Sequence, residues 1–579
     1  MHALENAFPD KDARKSEYAN IGRKQGSCEK RRVISIESNK SFGSDSLYLA
    51  LDVGSRSLRA GLFDRRGRRL DAASRDISVL NPVGDHHEQS SSEIWAKALE
   101  ALDEVLEAGD RRKVAGISFD ATCSLVVLGK DGKPLSVSST ADPDRNIIMW
   151  MDHRATEEAR FINSRRGEPI RYLGGVVSPE HELPKLLWLK RHMSETYREI
   201  GEVFDLADYL TYMATGSGAR SNCTLVCKWG YLAHEQEEAW NGKFFEEIDL
   251  YDLYRDHLSG YTIKPVGGKI GVISDTLARR LGLNPACVVA TSLIDAHSGG
   301  VGSAGAALDA EPRDDREGVL TRTLTIIMGT SNCHMAVSGE PVFIDGIWGP
   351  YYGAMVPGLW LNEGGQNATG ALLDHILQER RIYDQLTAGG GESVFDILNR
   401  EVERIREKDF AFNRYLNVLP YFYGNRSPRA DPHLWGMIDG LRLEDDIASY
   451  AKLYLSTVQA LAFGSRHIIE EMEKRGYRIE YIVATGGHIK NELLLTEHAN
   501  ILERPIYICE EKENMLLGGA INAATAAGEY DTLIEAMAAM SRMGRKISPQ
   551  AQRFDFYRRK YRVFKRMYDF QQEIRGIMD

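Results

Sequence analysis

Long apolar runs and recognisable export signals are missing from this 579-residue chain. No stretch approaches the ~18 uninterrupted apolar residues that a membrane-spanning helix needs, so we expect no membrane partner. The N-terminus has no apolar segment of the kind that a secretory signal contains. The pattern GxxxxGK[ST] is also absent, which argues against the common phosphate-binding P-loop.

Cysteine is scarce, and positive charge is outnumbered by negative charge. The seven cysteines are scattered and odd in number, which is typical of reduced thiols rather than of a disulfide framework, so we expect a cytoplasmic protein. Cys223 and Cys227 have a CxxxC spacing, but no second pair accompanies them, and a zinc site is not favoured. The net charge of −11 argues against nucleic acid as the main partner.

What the chain does contain is enough apolar sequence for more than one hydrophobic core. Residues 1–45 are polar, charged and aperiodic, and we predict a disordered extension there. Residues 307–320 include Pro312, Gly318 and many charges, and we predict a linker there. These boundaries predict one domain over residues 46–306 and a second over residues 321–579.

Two stretches about half a sequence apart share one pattern. Residues 47–64 (LYLALDVGSRSLRAGLFD) and residues 323–338 (TLTIIMGTSNCHMAVS) each contain an apolar run, a break at glycine and small hydroxyl residues, and a second run. Glycine permits close backbone approach and unusual dihedral angles, so such a turn can present N–H groups and hydroxyls to phosphate. Two turns that face each other would hold a polyphosphate across a cleft.

The remaining periodicity predicts an α/β protein, because strand patterns alternate with apolar positions at helical spacing. Ser92 is the predicted N-cap of the first helix, with Glu93 in its first turn. The predicted helices cover residues 91–106, 181–192, 203–215, 448–475 and 516–527. The predicted strands cover residues 47–53, 58–63, 114–119, 125–128 and 479–484, and a second hairpin starts at Thr323.

Six motifs in a fixed order resemble the FGGY family of carbohydrate kinases. They are DVGSRSLRAGLFD in the first repeat, MWMDHRA (149–155), SLIDAHSGGVG (292–302), IIMGTSNCH (326–334), GNRSPRADP (424–432) and VATGGHIKN (483–491). The resemblance extends from about residue 47 to the C-terminus. Within that family, the string TCSLV at residues 122–126 is similar to the pentulose kinases that act on D-ribulose.

This resemblance implies a fold and a reaction. The expected fold class is α/β, with two ribonuclease H-like domains of the actin, Hsp70 and hexokinase superfamily around a central cleft. The implied reaction transfers a phosphoryl group from ATP, with Mg²⁺, to D-ribulose and gives D-ribulose 5-phosphate. The alternatives are a kinase for another pentulose or polyol (ribitol, L-ribulose or xylulose) and a non-catalytic nucleotide-binding member of the superfamily.

Two aspartates are the candidates for the chemistry. Phosphoryl transfer needs a positioned hydroxyl, a base and positive charge at the phosphate oxygens. Asp52 lies at the end of an apolar strand and is the candidate Mg²⁺ ligand; the alternative is a strand-end carboxylate that bonds turn amides. Asp295 follows the run VVATSLI and is the candidate general base. Its spacing alone favours a helix N-cap, and the resemblance reverses that preference.

The remaining candidates form a sugar group and a nucleotide group. Trp150 offers an apolar face, and Asp152 and Arg154 offer ionic groups to hydroxyls, whereas the alternative is a surface ion pair beside a half-buried tryptophan. The residues predicted to contact a ketopentose are Thr122, Cys123, Ser124, Trp150, Asp152, Arg154, Lys228, Asp295, Glu363 and Gln366. The residues predicted to contact ATP are Gly54, Ser55, Ser57, Gly329, Thr330, Ser331, Gly486, Gly487 and Asn491.

Two further expectations concern neighbouring features. Gly486 and Gly487 could instead form a tight strand-to-helix turn with no ligand. His297 is expected to pack or hydrogen-bond locally rather than to take part in catalysis. The sequence does not determine the oligomeric state, and a homodimer is one expectation.

Overall fold

The computed structural model describes residues 43, 45–235, 239–309, 313–378, 383, 386 and 392–578. The predicted extension at residues 1–45 lies almost entirely outside this part of the chain. Within the described residues, no helix has the length and the apolar character that crossing a membrane requires.

Strands and helices alternate along the chain, in agreement with the predicted α/β class. The strands are β1 (Leu47–Val53), β2 (Ser57–Asp64), β3 (Arg69–Asp76), β4 (Glu88–Gln89), β5 (Val114–Ala121), β6 (Leu125–Gly129), β7 (Ile147–Ile148), β8 (Ile200–Asp205), β9 (Arg220–Ser221), β10 (Ile263–Lys264), β11 (Lys269–Val272), β12 (Val288–Ala290), β13 (Leu293–Ile294), β14 (Thr323–Met328), β15 (Asn332–Ser338), β16 (Trp348–Tyr352), β17 (Trp360–Gln366), β18 (Asn417–Leu419), β19 (Met437–Asp439), β20 (Tyr481–Thr485), β21 (Ile506–Cys509) and β22 (Met543–Ile547).

The helices connect these strands and cover the sheets. They are α1 (Ser91–Val105), α2 (Thr156–Asn163), α3 (Glu168–Tyr172), α4 (Glu182–His192), α5 (Ser194–Arg198), α6 (Leu206–Thr215), α7 (Asn222–Lys228), α8 (Gly242–Glu247), α9 (Tyr251–Leu253), α10 (Asp275–Leu281), α11 (Asp295–Ala304), α12 (Arg316–Thr321), α13 (Gly370–Gln378), α14 (Val394–Arg406), α15 (Ile447–Lys474), α16 (Glu492–Leu502), α17 (Asn514–Ala526), α18 (Leu533–Met540) and α19 (Phe554–Met578).

The two large sheets have one topology, which extends the repeat seen in the sequence to the whole fold. In the first sheet, β1 pairs antiparallel with β2 and parallel with β5, β5 pairs parallel with β12, and β12 pairs antiparallel with β11. In the second sheet, β14 pairs antiparallel with β15 and parallel with β20. Strand β20 pairs parallel with β21, and β21 pairs antiparallel with β22. Both predicted hairpins are therefore confirmed.

Two local predictions are wrong. The N-cap of α1 is Ser90 rather than Ser92, because the Ser90 hydroxyl accepts the hydrogen bond from the Glu93 amide. The helix predicted from residue 203 begins at Leu206, because Val203 belongs to β8, where it pairs with Val127 of β6. A buried strand that runs directly into a buried helix does not show its end in the apolar pattern.

Helix α17 comes from the second half of the chain but packs on the first sheet, against β1 and β5, and on α11. Helix α11 in turn comes from the first half and packs on β14 of the second sheet. Glycine makes this approach possible, since a Cβ at Gly518 would lie 1.8 Å from the Ser298 carbonyl oxygen. The helix predicted over residues 516–527 is thus confirmed, and α11 and α17 together join the two sheets.

Candidate active site

The first turn, at residues 54–56, lies against two segments that the sequence places far away. The Trp150 indole N–H donates to the Ser55 hydroxyl at 2.9 Å. The Thr122 amide donates to the Val53 carbonyl at 3.0 Å, and the Ser124 hydroxyl accepts from the Trp150 amide at 3.2 Å. The predicted TCS and Trp150 sugar residues therefore lie beside the predicted phosphate turn. Cys123, which lies between Thr122 and Ser124 in the sequence, is buried, and burial raises the pKa of its thiol.

The carboxylates of Asp52, Asp120 and Asp295 meet where strands β1 and β5 end and helix α11 begins. The parallel register of β1 and β5 sets Asp52 opposite Asp120, and β13 pairs with β5 immediately before Asp295. Arg59 forms an ion pair with Asp52. Asp120 accepts from the Ser298 hydroxyl at 3.0 Å through Oδ2, and its buried Oδ1 has no hydrogen-bond partner among the described residues. Burial and the charge of Asp52 raise the pKa of Asp120.

Asp120 was not among the residues selected from the sequence. It lies within the buried strand β5, and it belongs to FDATCSLVVLG, where only the three residues TCS were chosen. A carboxylate within a fully buried strand is a signal in itself, because burying a charged group is costly unless it is paired.

Asp295 is the first residue of α11 and is half-buried at the junction of the two halves. Its Oδ1 accepts from the Ala296 amide at 2.7 Å. Burial, together with the charges of Asp52 and Glu363, raises the pKa of Asp295 to about 7. Because Ile294 is the N-cap, Asp295 does not occupy the capping position. A carboxyl group with this pKa exchanges protons near neutral pH.

Asp152 and Arg154 form a buried ionic network instead of a surface ion pair. Both oxygens of Asp152 accept from Arg154, and Oδ2 also accepts from the His87 amide at 2.7 Å. Arg154 donates to Glu88 at 2.9 Å as well, and neither Asp152 nor Arg154 exposes its side chain. These contacts fix the loop from which Trp150 reaches Ser55.

Glu363, on β17 of the second sheet, connects both halves of the molecule. Its Oε2 lies 3.3 Å from Nε2 of His297 on α11, and its Oε1 accepts from Arg426 at 2.6 Å. Burial alone would raise the pKa of Glu363, but Arg426 and the His297 hydrogen bond hold the pKa below its usual value. His297 also lies 3.2 Å from the Cys223 sulfur, so it bonds locally, as expected. Arg426 belongs to the GNRSPRADP motif and was missed as a site residue.

Lys228 and Arg426 both lie over the ring of Trp348. The Lys228 Nζ lies 4.9 Å, and the Arg426 Cζ 3.7 Å, from the centre of the Trp348 ring. Lys228 is 6% exposed. Burial acts to lower the pKa of its ammonium group, but the negative charges of Glu180 and Glu363 outweigh that effect and raise the pKa. The buried ammonium therefore stays protonated and can donate to ligand oxygens.

The second turn, at residues 329–331, is held by the start of α13. The Thr369 hydroxyl donates to the Gly329 carbonyl at 2.8 Å, and the Thr369 amide to the Thr330 carbonyl at 2.9 Å. Gly486 has φ of 97°, and a Cβ there would lie 2.4 Å from the Met328 carbonyl oxygen. The turn, the N-terminus of α13 and the Gly486–Gly487 turn therefore converge. Helix N-termini and glycine turns favour phosphate.

Besides Asp152 and Arg154, the predicted residues Gln366 and Asn491 are committed to other contacts. Gln366 is three residues after Glu363 on β17, so it faces the opposite side of the strand, where it donates to the Leu461 carbonyl at 3.1 Å. Asn491 caps α16 by accepting from the Leu494 amide at 3.2 Å. Gln366 therefore does not lie on the same face of the strand as Glu363. The Asn491 side chain is used for a hydrogen bond within the fold.

The chain matches models of both domains of one protein family. The N-terminal domain of the FGGY family of carbohydrate kinases matches residues 47–302, and the C-terminal domain matches residues 324–527. A Xenopus laevis FGGY carbohydrate kinase domain-containing protein is 42% identical over 545 residues, which cover 93% of this chain and 98% of that protein. A D-ribulokinase of Saccharomyces cerevisiae is 34% identical over 517 residues, 84% of this chain and 72% of that protein.

The fold also has a solved counterpart. A ligand-bound xylulose kinase from Lactobacillus acidophilus superposes with a TM-score of 0.76 at 18% identity, covering 92% of this chain and 100% of that one. The predicted architecture of two ribonuclease H-like α/β domains, of the actin, Hsp70 and hexokinase type, is confirmed. The matched family models together cover most of the chain, and the protein belongs to the FGGY family of carbohydrate kinases, the sugar kinases that the six motifs indicated.

Proposed function

We propose that this sugar kinase transfers the γ-phosphoryl group of ATP to D-ribulose and forms D-ribulose 5-phosphate and ADP. The observation that carries the reaction type is Asp295, whose pKa of about 7 suits a general base at the point where both halves meet. Support for D-ribulose comes from the TCSLV string beside the first turn and from the 34% identical yeast D-ribulokinase.

The proposed chemistry needs one proton acceptor and one attacking oxygen. Asp295 takes the proton of the sugar hydroxyl as that oxygen forms a bond to the γ-phosphorus, while the bond from phosphorus to the β–γ bridging oxygen breaks and its electron pair leaves with ADP. Lys228 donates to the carbonyl or a neighbouring hydroxyl of the ketose. Trp150, held by Ser55, packs on the sugar carbon face, and closure of the two domains (46–306 and 321–579, joined by 307–320) excludes competing water.

The residues around Asp52 also fit a hard cation. Within the described residues no group of three or more His, Cys, Asp and Glu side chains could hold a metal ion. Asp52 nevertheless offers carboxylate oxygens opposite Asp120, whose Oδ1 has no hydrogen-bond partner within the described part of the chain, and carboxylate oxygens are ligands that would suit Mg²⁺. We propose that Asp52 holds Mg²⁺, which supplies positive charge to the phosphate oxygens. The two turns and Gly486–Gly487 would receive the nucleotide.

A coupled assay of ADP release tests the substrate. We expect D-ribulose to give a kcat/KM at least tenfold higher than L-ribulose, D-xylulose or ribitol, at saturating ATP and Mg²⁺. Comparable values on several unrelated sugars would contradict the D-ribulose assignment. Asp295→Asn is the variant that tests the proposed base, since asparagine keeps the size of the side chain but cannot accept the proton.

A further inference from the structure

Glu180 is a carboxylate beside the candidate sugar site that the proposed reaction does not use. It lies in the turn before α4, where its amide donates to the Ser178 hydroxyl at 3.3 Å and the His181 amide donates to the Ser178 carbonyl at 3.0 Å. The centre of the His181 ring lies 5.6 Å from that of Trp348. The turn is therefore fixed next to the aromatic ring over which the two cations of the site lie.

The side chain of Glu180 has few partners in the protein. It is 21% exposed, and within the residues that the structure describes its one polar contact is His153, whose Nε2 lies 3.7 Å from Oε1. That distance is longer than a good N–H···O hydrogen bond, whereas an ionised carboxylate accepts about four hydrogen bonds. Glu363 differs, because protein donors reach both of its oxygens. Of the two glutamates, Glu180 has the greater capacity to accept from a ligand.

Lys228 supplies a complementary donor near this carboxylate. Its ammonium group lies over the Trp348 ring and makes no hydrogen bond or ion pair within the described part of the chain. Burial alone would raise the pKa of Glu180, but the contact with His153 and the charges of Arg426 and Lys228 lower the pKa to about 2. Glu180 is therefore ionised at neutral pH, and it lies near an ammonium group that can donate to the same ligand.

The charged groups follow one another along the site. Besides burial and Asp52, the charge of Glu363 raises the pKa of Asp295, so these two carboxyl groups are close. The charges of Glu180 and Glu363 both act on Lys228. Asp295 therefore lies at one end of the series and Glu180 at the other, with Lys228 between them. An open-chain ketopentose has the same polarity, with its 5-hydroxyl at one end and its hydroxy-ketone at the other.

We propose that Glu180 is a specificity-determining residue that accepts a hydrogen bond from the C1 hydroxyl of the ketose, next to the C2 carbonyl that Lys228 binds. The inference rests on the proposed function, in which Asp295 is the base for the 5-hydroxyl. The ammonium group donates to the carbonyl while the carboxylate accepts from the hydroxyl, so the pair recognises a hydroxy-ketone. A sugar without the C1 hydroxyl leaves the carboxylate without its donor, and the site should reject it.

Coupled ADP release with D-ribulose and with 1-deoxy-D-ribulose tests this proposal, because the two sugars differ only in the C1 hydroxyl. We expect the native protein to prefer D-ribulose about 10- to 100-fold in kcat/KM. Glu180→Ala should reduce the preference to less than about threefold and raise the KM for D-ribulose at least tenfold, with the KM for ATP unchanged. Glu180→Gln keeps the shape without the charge and should retain only part of the preference.

Glu195→Ala is the matched control, because Glu195 is an exposed carboxylate on α5 and its loss should leave both kinetic constants and the preference unchanged. Thermal melting of each variant shows whether it is folded. A general structural defect would lower kcat/KM by the same factor on both sugars, whereas the loss of the proposed hydrogen bond lowers it on D-ribulose alone.

The outcomes separate this inference from the proposed function. A different ketose as the best substrate, with the same dependence on its C1 hydroxyl and on Glu180, would refute D-ribulose and support the role of Glu180. A native protein without the preference, variants that keep it, or an equal loss on both sugars would overturn the role of Glu180 and leave D-ribulose phosphorylation standing. A preference for ribitol, which has no carbonyl, or no turnover with any sugar would overturn both.

Discussion

With Asp295 as the proposed general base, phosphoryl transfer to D-ribulose, the proposed substrate, is expected to accelerate as the pH rises through 7, because this carboxyl group must be ionised to accept the proton. The pKa of Asp295 is raised to about 7 by burial, with further contributions from the charges of Asp52 and Glu363. An aspartate at its ordinary value would be fully ionised from pH 6 to pH 8 and would give a flat profile. The slope of the profile therefore reports the environment of this one carboxyl group.

The size of the effect follows from the ionised fraction. With a pKa of about 7, ~0.09 of Asp295 is ionised at pH 6 and ~0.91 at pH 8, so kcat/KM should rise about tenfold over this range. Asp295→Asn removes the base and should lower kcat by ~10²–10⁴-fold. The measurement is ADP release with D-ribulose, with the coupling enzymes shown to be in excess at each pH.

Protein stability gives an independent reading of the same pKa. Since the folded state binds the Asp295 proton more tightly than the unfolded state, the stabilisation is fully present below pH 4 and is lost as the pH rises through 7. Asn titrates in neither state. The melting temperature of Asp295→Asn should therefore rise relative to that of the native protein between pH 4 and pH 7. Above pH 7 the difference between the two melting temperatures should stay constant.

Two results would refute this reasoning. A flat kcat/KM between pH 6 and pH 8, with chemistry shown to limit the rate, would mean that Asp295 does not titrate there. An Asp295→Asn variant that keeps more than a tenth of the native kcat would mean that another group accepts the proton.

Two further predictions concern sugar binding and the join between the halves. Lys228→Met should raise the KM for D-ribulose at least tenfold with little change in the KM for ATP, because the buried ammonium is lost; Lys228→Arg, which keeps the charge, should recover part of the affinity in the same assay. Gly518→Ala should lower the stability by ~1–3 kcal/mol in urea unfolding, because its Cβ would lie 1.8 Å from the Ser298 carbonyl oxygen. Gly576→Ala, where a Cβ meets nothing within 4 Å, should leave the unfolding midpoint unchanged or slightly higher.

The predictions from the sequence are most accurate where the interacting residues lie close together along the chain. The hairpins and the long helix α15 were predicted within a few residues, since apolar periodicity and glycine breaks are local. Ser92 failed as a cap because three consecutive serines precede Glu93, and only the backbone geometry selects Ser90. Gln366 was grouped with Glu363 by closeness in sequence, although a separation of three along a strand puts them on opposite faces.

By itself, the sequence determined the α/β class, the two phosphate-type turns and the family, because each depends on residues close together along the chain. Only the tertiary structure decided that Asp52, Asp120 and Asp295 meet, since strand register brings them together from three separate segments. It also decided that Glu363 and Arg426 of the second half reach His297 of the first. The physical reason is that pairing and packing between distant segments select neighbours that no spacing along the chain encodes.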